Sequence, residues 1–458
     1  MEGLSLGKDY ILYGTMKIAK DFIYIFRDVS VKTIITESSV GALMEYQGIP
    51  VCSKEDVVEN ITDTIIVCLQ PGEARDEKIS VLKKKYMHAV IQPCEDFFVR
   101  YDETIKIPEG CELYVWGTGR KARQLMDSHN LQKKPTTFID SYKDEGLFYG
   151  VPVVKPNKIL DWSNAFVIVA VADSKEIEAE LLLHGLHKEK NFVDSATVVY
   201  NPAKMLREVF FSQDGYDFAC DTMLNHLEIM MGGATRVCCT TFMKVNRVNF
   251  LEPDFMEYWS GKKDIIHRIL ALSTQNRSYV YCDKSMCPLF DGRKNLGAED
   301  HQVVVAEYRD IEPYPKVVAC GFDNTCNLAC ETCRKGLEVA KGRERQYINR
   351  IAMKVKEELL PNTEFLVMAG NGEVLLSPAY RSIWESEAAA TPRFLRLLSN
   401  GLLFNEILWR RFSHGKENTN IMLTVSIDAA KKETYEDIRK FGNFDQLQHN
   451  MAFAGHLR

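Results

Sequence analysis

Three features are missing from this 458-residue chain, and each absence narrows what it can be. It has no block of Lys or Arg and carries a net charge of −6, so it lacks the basic footprint that phosphate binding needs; neither a nucleic-acid nor a membrane surface is expected. Its longest apolar run, residues 165–172, is far too short to span a bilayer. The opening stretch, MEGLSLGKDYILYG, has no basic region followed by an apolar core and a small-residue cleavage site. The expected compartment is therefore cytoplasmic. There, the 13 cysteines read as ligands and buried thiols rather than as disulfides. What remains is ordinary globular composition, 46% hydrophobic and 26% charged, long enough for about three domains of roughly 150 residues each.

The cysteines are not scattered. Residues 321–336 read GFDNTCNLACETCRKG and place Cys326, Cys330 and Cys333 in a Cys-x3-Cys-x2-Cys array. Three thiolates so close in sequence can close round one face of a four-iron, four-sulfur cluster and leave the fourth iron without a local ligand. A zinc knuckle, or thiols that are merely buried, is the alternative.

The flanking segments bear on that choice. KVVACG (residues 316–321) reads as a strand running into the cysteine loop. VMAGNGEVLL (367–376) reads as a strand ending in Gly-x-Gly-Glu, FLRLLSNG (394–401) as one ending in Ser-Asn-Gly, and IMLTVSID (421–428) as one ending in a carboxylate. A helical pattern follows each. Repeated strand–helix units with polar residues at the strands' carboxyl ends predict a β/α barrel with its site at one rim.

In these four places, and in this order, the chain resembles the radical S-adenosylmethionine (SAM) superfamily. CNLACETC is similar to the cluster loop, AGNGEVLL to the motif that holds the methionine amino group, and LLSNGLL to the third-strand turn carrying Asn400. VSIDAAKKETYEDIRKFGNFDQL resembles the fourth-strand and helix signature of the peptide-modifying branch. The resemblance covers residues 312–458 and departs at Thr332, where the family usually has an aromatic or large residue. It implies that Cys326, Cys330 and Cys333 bind a [4Fe-4S] cluster and that Gly370, Gly372 and Glu373 bind the methionine amine. It further implies that Asn400, Ser426, Asp428 and Arg439 face the cofactor, Ser426 and Arg439 at its ribose or carboxylate. From the residues alone, Ser426 reads equally as a helix cap and Arg439 as half of a solvated ion pair. Four strand–helix units are countable where the family has six, and the chain stops at MAFAGHLR, so the natural polypeptide is expected to continue.

Residues 1–200 contain a repeat. YILYGTMKIA (10–19) faces LYVWGTGRKA (113–122), and GIPV (48–51) faces GVPV (150–153). Strand, helix, strand, turn, strand, helix in each half predicts two doubly wound, Rossmann-like α/β units. In the second, Gly117, Gly119 and Ala122 form Gly-x-Gly-x-x-Ala after a strand, with Asp140 about twenty residues on, as a dinucleotide or nucleotide-sugar site would require. In the first, Met16 replaces the second glycine and would block a phosphate. The region resembles nucleotide- or sugar-binding modules; the bland reading is a docking or dimer surface.

Residues 201–312 hold Cys220, the pair Cys238 and Cys239, and Cys282 and Cys287, around an amphipathic stretch with Trp259. This arrangement resembles the SPASM or twitch type of auxiliary-cluster module. It implies a second, fully ligated [4Fe-4S] cluster; a structural zinc site is the alternative. Cys52, Cys68, Cys94, Cys111 and Cys320 read as buried small hydrophobes.

The expected architecture is therefore α/β: a degenerate Rossmann-like unit (1–104), a second with the glycine fingerprint (105–200), a small cysteine-rich α+β module (201–312) and an incomplete radical SAM barrel (313–458). The expected function is reductive cleavage of SAM and hydrogen abstraction from a peptide or protein substrate, with flavodoxin or ferredoxin as electron donor. The alternatives are oxidation of a sugar or other small molecule, and a non-catalytic nucleotide-sugar-binding scaffold with structural metal sites.

Overall fold

The computed structural model describes residues 9–37, 44–57, 61–102, 106–128, 130–143, 145–171, 174–188, 190–212, 216, 218, 220–238, 243, 248–284, 287–290, 313–368 and 372–457. The chain is mixed α/β and divides into two compact units, Met1–Gly215 and Tyr216–Arg458.

The first unit contains two sheets. One is built from β1 (Asp9–Gly14), α1 (Met16–Ile25), β2 (Ser30–Thr36), β3 (Met44–Tyr46), β4 (Ile49–Ser53), β5 (Thr64–Cys68), α2 (Glu73–Lys85) and β6 (Ile91–Pro93), with strand order β3-β4-β2-β1-β5-β6. The other comprises β7 (Glu112–Trp116), α3 (Arg120–Asp127), β8 (Thr137–Ile139), β9 (Gly146–Phe148), β10 (Val151–Val154), β11 (Ala165–Val169), α4 (Lys175–Leu183) and β12 (Phe192–Asp194), with order β12-β11-β7-β8-β10-β9. Read outward from its first strand, each sheet has the same order, and each has a single antiparallel edge strand, β3 or β9. The unbroken apolar runs have a physical consequence. β11 is buried along its whole length and β5 nearly so, as expected of parallel strands covered on both faces. On the second sheet the two faces form separate cores, one around Phe138 and Phe166 and the other around Trp116 and Trp162. After α5 (Ser195–Val199), Asn201 caps α6 (Pro202–Phe211) by accepting from the N–H groups of Ala203 and Lys204. That helix sets Phe210 4.9 Å from Phe98, tying it to the first sheet's aromatic core.

The second unit runs α7 (Thr222–Asn225), β13 (His226–Met230), β14 (Thr235–Arg236), α8 (Phe255–Trp259), α9 (Ile265–Gln275), β15 (Val317–Gly321), β16 (Ala329–Cys330), α10 (Gly342–Lys354), β17 (Phe365–Met368), α11 (Pro378–Trp384), β18 (Phe394–Ser399), α12 (Glu406–Ser413), β19 (Asn420–Val425), α13 (Lys432–Ile438), β20 (Arg439–Lys440) and α14 (Phe444–Gly455). Strands β15, β18 and β19 stand at three of the expected segments, while β17 lies earlier than the segment expected over 367–376 and shares only Val367 and Met368 with it. They are parallel neighbours, so their carboxyl ends share one rim. The sequence reading missed β13. It pairs in parallel with β15, from His226↔Val317 to Met230↔Gly321, so residues on both sides of 291–312 share one sheet. The full order is β14-β13-β15-β17-β18-β19. The amphipathic stretch around Trp259 is two helices, broken where Gly261 takes φ +73° and Asp264 caps α9. Among the described residues, no helix is long and apolar enough to cross a membrane.

Candidate functional site

The cysteine loop leaves the carboxyl end of β15 and is pinned on several sides. Asp323 is buried; its carboxylate accepts from the Thr325 N–H at 2.8 Å and the Ser377 hydroxyl at 2.5 Å, while its own N–H donates to the Tyr380 hydroxyl at 2.9 Å. The Cys326 N–H donates to the Glu338 carbonyl at 2.9 Å. Further along, the N–H groups of Cys333 and Arg334 both donate to the Cys330 carbonyl, at 2.9 and 3.0 Å. The three thiols are graded in exposure: Cys326 is buried, Cys330 half-buried and Cys333 exposed. Burial pushes the Cys326 and Cys330 thiols up in pKa, and nearby guanidinium charge, Arg334 for Cys326 and chiefly Arg439 for Cys330, pulls them back.

Arg334 closes the loop on itself. One guanidinium nitrogen donates to the Asn324 carbonyl at 2.6 Å and another to the Cys333 sulfur at 3.4 Å. On the far side, β16 pairs with β20 so that Cys330 stands opposite Arg439. Arg439 is buried and its Nε donates to Asp428 at 2.8 Å, so the expected solvated ion pair is corrected: the guanidinium is enclosed. Because Asp428 is 42% exposed, the pair contributes at most about 1 kcal/mol to stability. Ser426 is exposed, and its N–H donates to the Ser399 carbonyl at 2.9 Å. It caps no helix, since α13 begins after Lys431.

Gly372 and Glu373 join the loop to the strands beside it. A Cβ on Gly372 would lie 2.5 Å from the carbonyl oxygens of Asp323 and Thr325, so glycine is what lets the two turns touch. Glu373 is 1% exposed. Its carboxylate accepts from the N–H of Asn400 at 2.7 Å, the N–H of Leu375 at 3.0 Å and the Ser399 hydroxyl at 2.8 Å. Burial raises its pKa, although these hydrogen bonds oppose the shift. The side chain therefore anchors the end of β18. The Asn400 amide donates to the Asn327 side chain at 2.8 Å and sits 4.0 Å from the Cys326 sulfur. Gly370 lies outside the described residues.

The second cysteine group draws on three segments of the second unit. Cys220 precedes α7, Cys238 follows the β13–β14 hairpin, and Cys282 and Cys287 follow α9. Burial raises the Cys282 thiol far above its ordinary value, and Cys220, Cys238 and Cys287 each add to the shift. All three are thus its electrostatic neighbours. Tyr279 fixes one wall, accepting from the Cys220 N–H at 2.9 Å and donating to the Phe218 carbonyl at 3.0 Å, with its ring stacked on Phe218 at 5.1 Å. Cys239 lies outside the described residues. No disulfide joins the described cysteines. Cys68, Cys94 and Cys320 are buried as expected, whereas Cys52 and Cys111 are half-buried because they lie towards strand ends.

Among the described residues, no group of three or more His, Cys, Asp and Glu side chains is placed to hold a single metal ion. The donor chemistry of both groups is soft thiolate, which suits iron–sulfur clusters or zinc and not oxygen-seeking cations. On α13 there is also an orphan. The Tyr435 hydroxyl is buried and makes no hydrogen bond among the described residues, a situation that costs about 1–3 kcal/mol when no acceptor arrives.

In the first unit the glycine fingerprint has structural work to do. Gly117 takes φ +119° and a Cβ there would meet the Ala170 carbonyl at 2.6 Å; Gly14 repeats this with φ +150° against the Cys68 carbonyl at 2.1 Å. Gly119 has open space around it, and Ala122 is buried between helix and strand. Asp140 is already engaged, accepting from the Thr118 hydroxyl at 2.5 Å and from the N–H groups of Tyr142 and Lys143 at 2.9 Å each. Burial pushes its pKa up, but these hydrogen bonds outweigh it and hold it below the ordinary value. The sequence reading missed Glu37, just past β2, which accepts from the Tyr13 hydroxyl at 2.8 Å and pairs with Lys78 at 3.0 Å. Its signal was the acidic residue ending the second strand in both halves.

No protein-family model matches this chain, and neither a curated protein nor a solved structure matches it.

Proposed function

We propose that the second unit is a radical SAM iron–sulfur enzyme, with Cys326, Cys330 and Cys333 as ligands to a [4Fe-4S] cluster. The observation that carries this reading is a convergence. The three-thiol loop, the Gly372–Glu373 turn, Asn400, and the Asp428–Arg439 pair all gather at the carboxyl ends of adjacent parallel strands. A zinc knuckle needs none of those neighbours. When bound, a four-iron cluster with one open iron supplies the electron that splits SAM into methionine and a 5′-deoxyadenosyl radical, which takes a hydrogen atom from the substrate.

The chain's own residues do the placing. The Arg334 and Arg439 guanidiniums offset the negative charge of three thiolates and of the methionine carboxylate. Gly372 keeps the turn against the loop, and the Glu373 carboxylate fixes Asn400 by its backbone. Cys220, Cys238, Cys282 and Cys287 hold an auxiliary cluster closed by four thiolates, with Cys239 as the alternative to Cys238. The parallel strands belong to a partial β/α barrel, and the two N-terminal sheets are Rossmann-like, their parallel strands following the 3-2-1-4-5 doubly wound order. The substrate class is a peptide or protein, and the N-terminal sheets take a nucleotide or nucleotide-sugar. Electrons come from a flavodoxin or ferredoxin in the cytoplasm.

Anaerobic incubation of the full chain with ferrous iron and sulfide tests the reading. A brown protein whose visible spectrum bleaches on reduction is expected. A colourless protein that takes up stoichiometric zinc and no sulfide would refute it.

A further inference from the structure

The sheet of the second unit has two unlike faces. Burial alternates residue by residue along β13, β17, β18 and most of β15, so one face is closed and the other half-open. Leu227, Val318, Leu366 and Leu395 stand in register on the closed face and are fully buried. Side chains one residue further along point to the opposite face. There the register sets out a single row in sheet order: Arg236, Glu228, Ala319, Val367, Arg396 and Met422. The first five are half-buried and Met422 is exposed.

Charge is uneven along this row. Glu228 and Arg236 stand opposite one another on neighbouring strands, and Ala319 and Val367 separate them from Arg396. Arg396 is fixed but unmatched. Its Nε donates to the Thr424 hydroxyl at 3.3 Å, and among the described residues its guanidinium meets no carboxylate. The two terminal nitrogens are thereby left to donate to something else. A held guanidinium with no counter-charge, on a face where water is partly excluded, is a site for an anion.

The row also selects which anion. Two donors in one plane match the two oxygens of a carboxylate. One guanidinium, with the Glu228 carboxylate on the same face, suits a single negative charge better than the near-double charge of a phosphate monoester. Depth fits a peptide. Arg396 stands three residues before Ser399, whose hydroxyl donates to Glu373 beside the cysteine loop. At about 3.3 Å per residue it lies about 10 Å down the strand from that rim, a span that a short extended peptide covers.

We infer that Arg396 is a specificity-determining residue: it binds the carboxylate of an Asp or Glu side chain in a peptide substrate that lies across this half-open face. The inference deepens the reading above and rests on its peptide substrate.

The test is retention of a randomised hexapeptide pool, capped at both ends so that only side chains carry charge, on the immobilised, anaerobically loaded full chain. Retained peptides are read by mass spectrometry. Asp and Glu are expected to be enriched about tenfold over Asn and Gln, although the chain's net charge of −6 repels acidic peptides. Arg396→Gln should abolish the preference. Arg396→Glu should turn it towards Lys and Arg, a gain that an unfolded variant would not give. Arg393→Gln removes an exposed guanidinium just before the same strand and should leave the preference as it was. No acid preference in the parent chain, or one that survives Arg396→Gln, overturns the inference whatever the colour of the protein. A chain that takes up no cluster yet shows the Arg396-dependent preference keeps the site and overturns the iron–sulfur reading alone.

Discussion

The loop thiols of Cys326, Cys330 and Cys333 and the group of Cys220, Cys238, Cys282 and Cys287 differ first in how the chain assembles them. The loop set comes from eight consecutive residues whose backbone hydrogen bonds bring them together, with guanidiniums on two sides and exposure rising from Cys326 to Cys333. The other set is gathered from three separate segments by a helix, a hairpin and stacked aromatic rings, and its central thiol, Cys282, is strongly desolvated. A locally organised, half-open set can keep one coordination position for a small molecule. A remotely organised set whose four described thiols are all half-buried is suited to being fully ligated. On the proposed reading, the same residue type serves two roles through its surroundings.

The largest expected effect comes from breaking each set in turn. Cys330→Ala should reduce 5′-deoxyadenosine formation to background. Cys282→Ala should keep it within about tenfold of the parent, about 1.4 kcal/mol in barrier, while modified product falls much further. The two products are counted separately in the same reaction. If Cys282→Ala lost cleavage and Cys330→Ala kept it, the roles would be exchanged.

A smaller effect sharpens what holds the loop set in place. Gly372→Ala puts a methyl group against two backbone carbonyls that cannot move aside, and overpacking of that kind costs about 1–3 kcal/mol. Urea unfolding of the second unit should shift by that amount, and loading of the Cys330-dependent cluster should weaken with it. Gly119→Ala, with open space around its Cβ, is the matched control and should stay within about 0.5 kcal/mol. Equal stability of the two variants would mean that the Gly372 turn does not support the loop.

The difference between the two sets also shows what was legible in the sequence. The loop thiols, strands β15, β18 and β19 and the turns at their ends are local patterns, and hydrophobic runs with punctuating polar residues displayed them directly. β13 was missed because its five residues, HLEIM, pair with a strand far downstream, and nothing local marks a parallel partner. The β16–β20 ribbon is two residues on each side, too short for any periodicity to register. That ribbon is what encloses Arg439, so a residue that looked like half of a surface ion pair is buried. Glu373 presents the same lesson in another form: the motif was visible, but that its carboxylate anchors β18 depends on three donors converging in space. Tyr435 carried no signal at all, since an aromatic at helical spacing reads as core, and what sets it apart is that its hydroxyl has no hydrogen-bond partner among the described residues.

The central claim is that the loop set leaves an iron open to SAM and the other set does not. It is tested most directly by electron paramagnetic resonance of the loaded, reduced chain before and after adding SAM. The account requires SAM to change the shape of the signal that depends on Cys330 and to leave the signal that depends on Cys282 as it was. A spectrum that SAM leaves untouched, or a change confined to the Cys282-dependent signal, would contradict it.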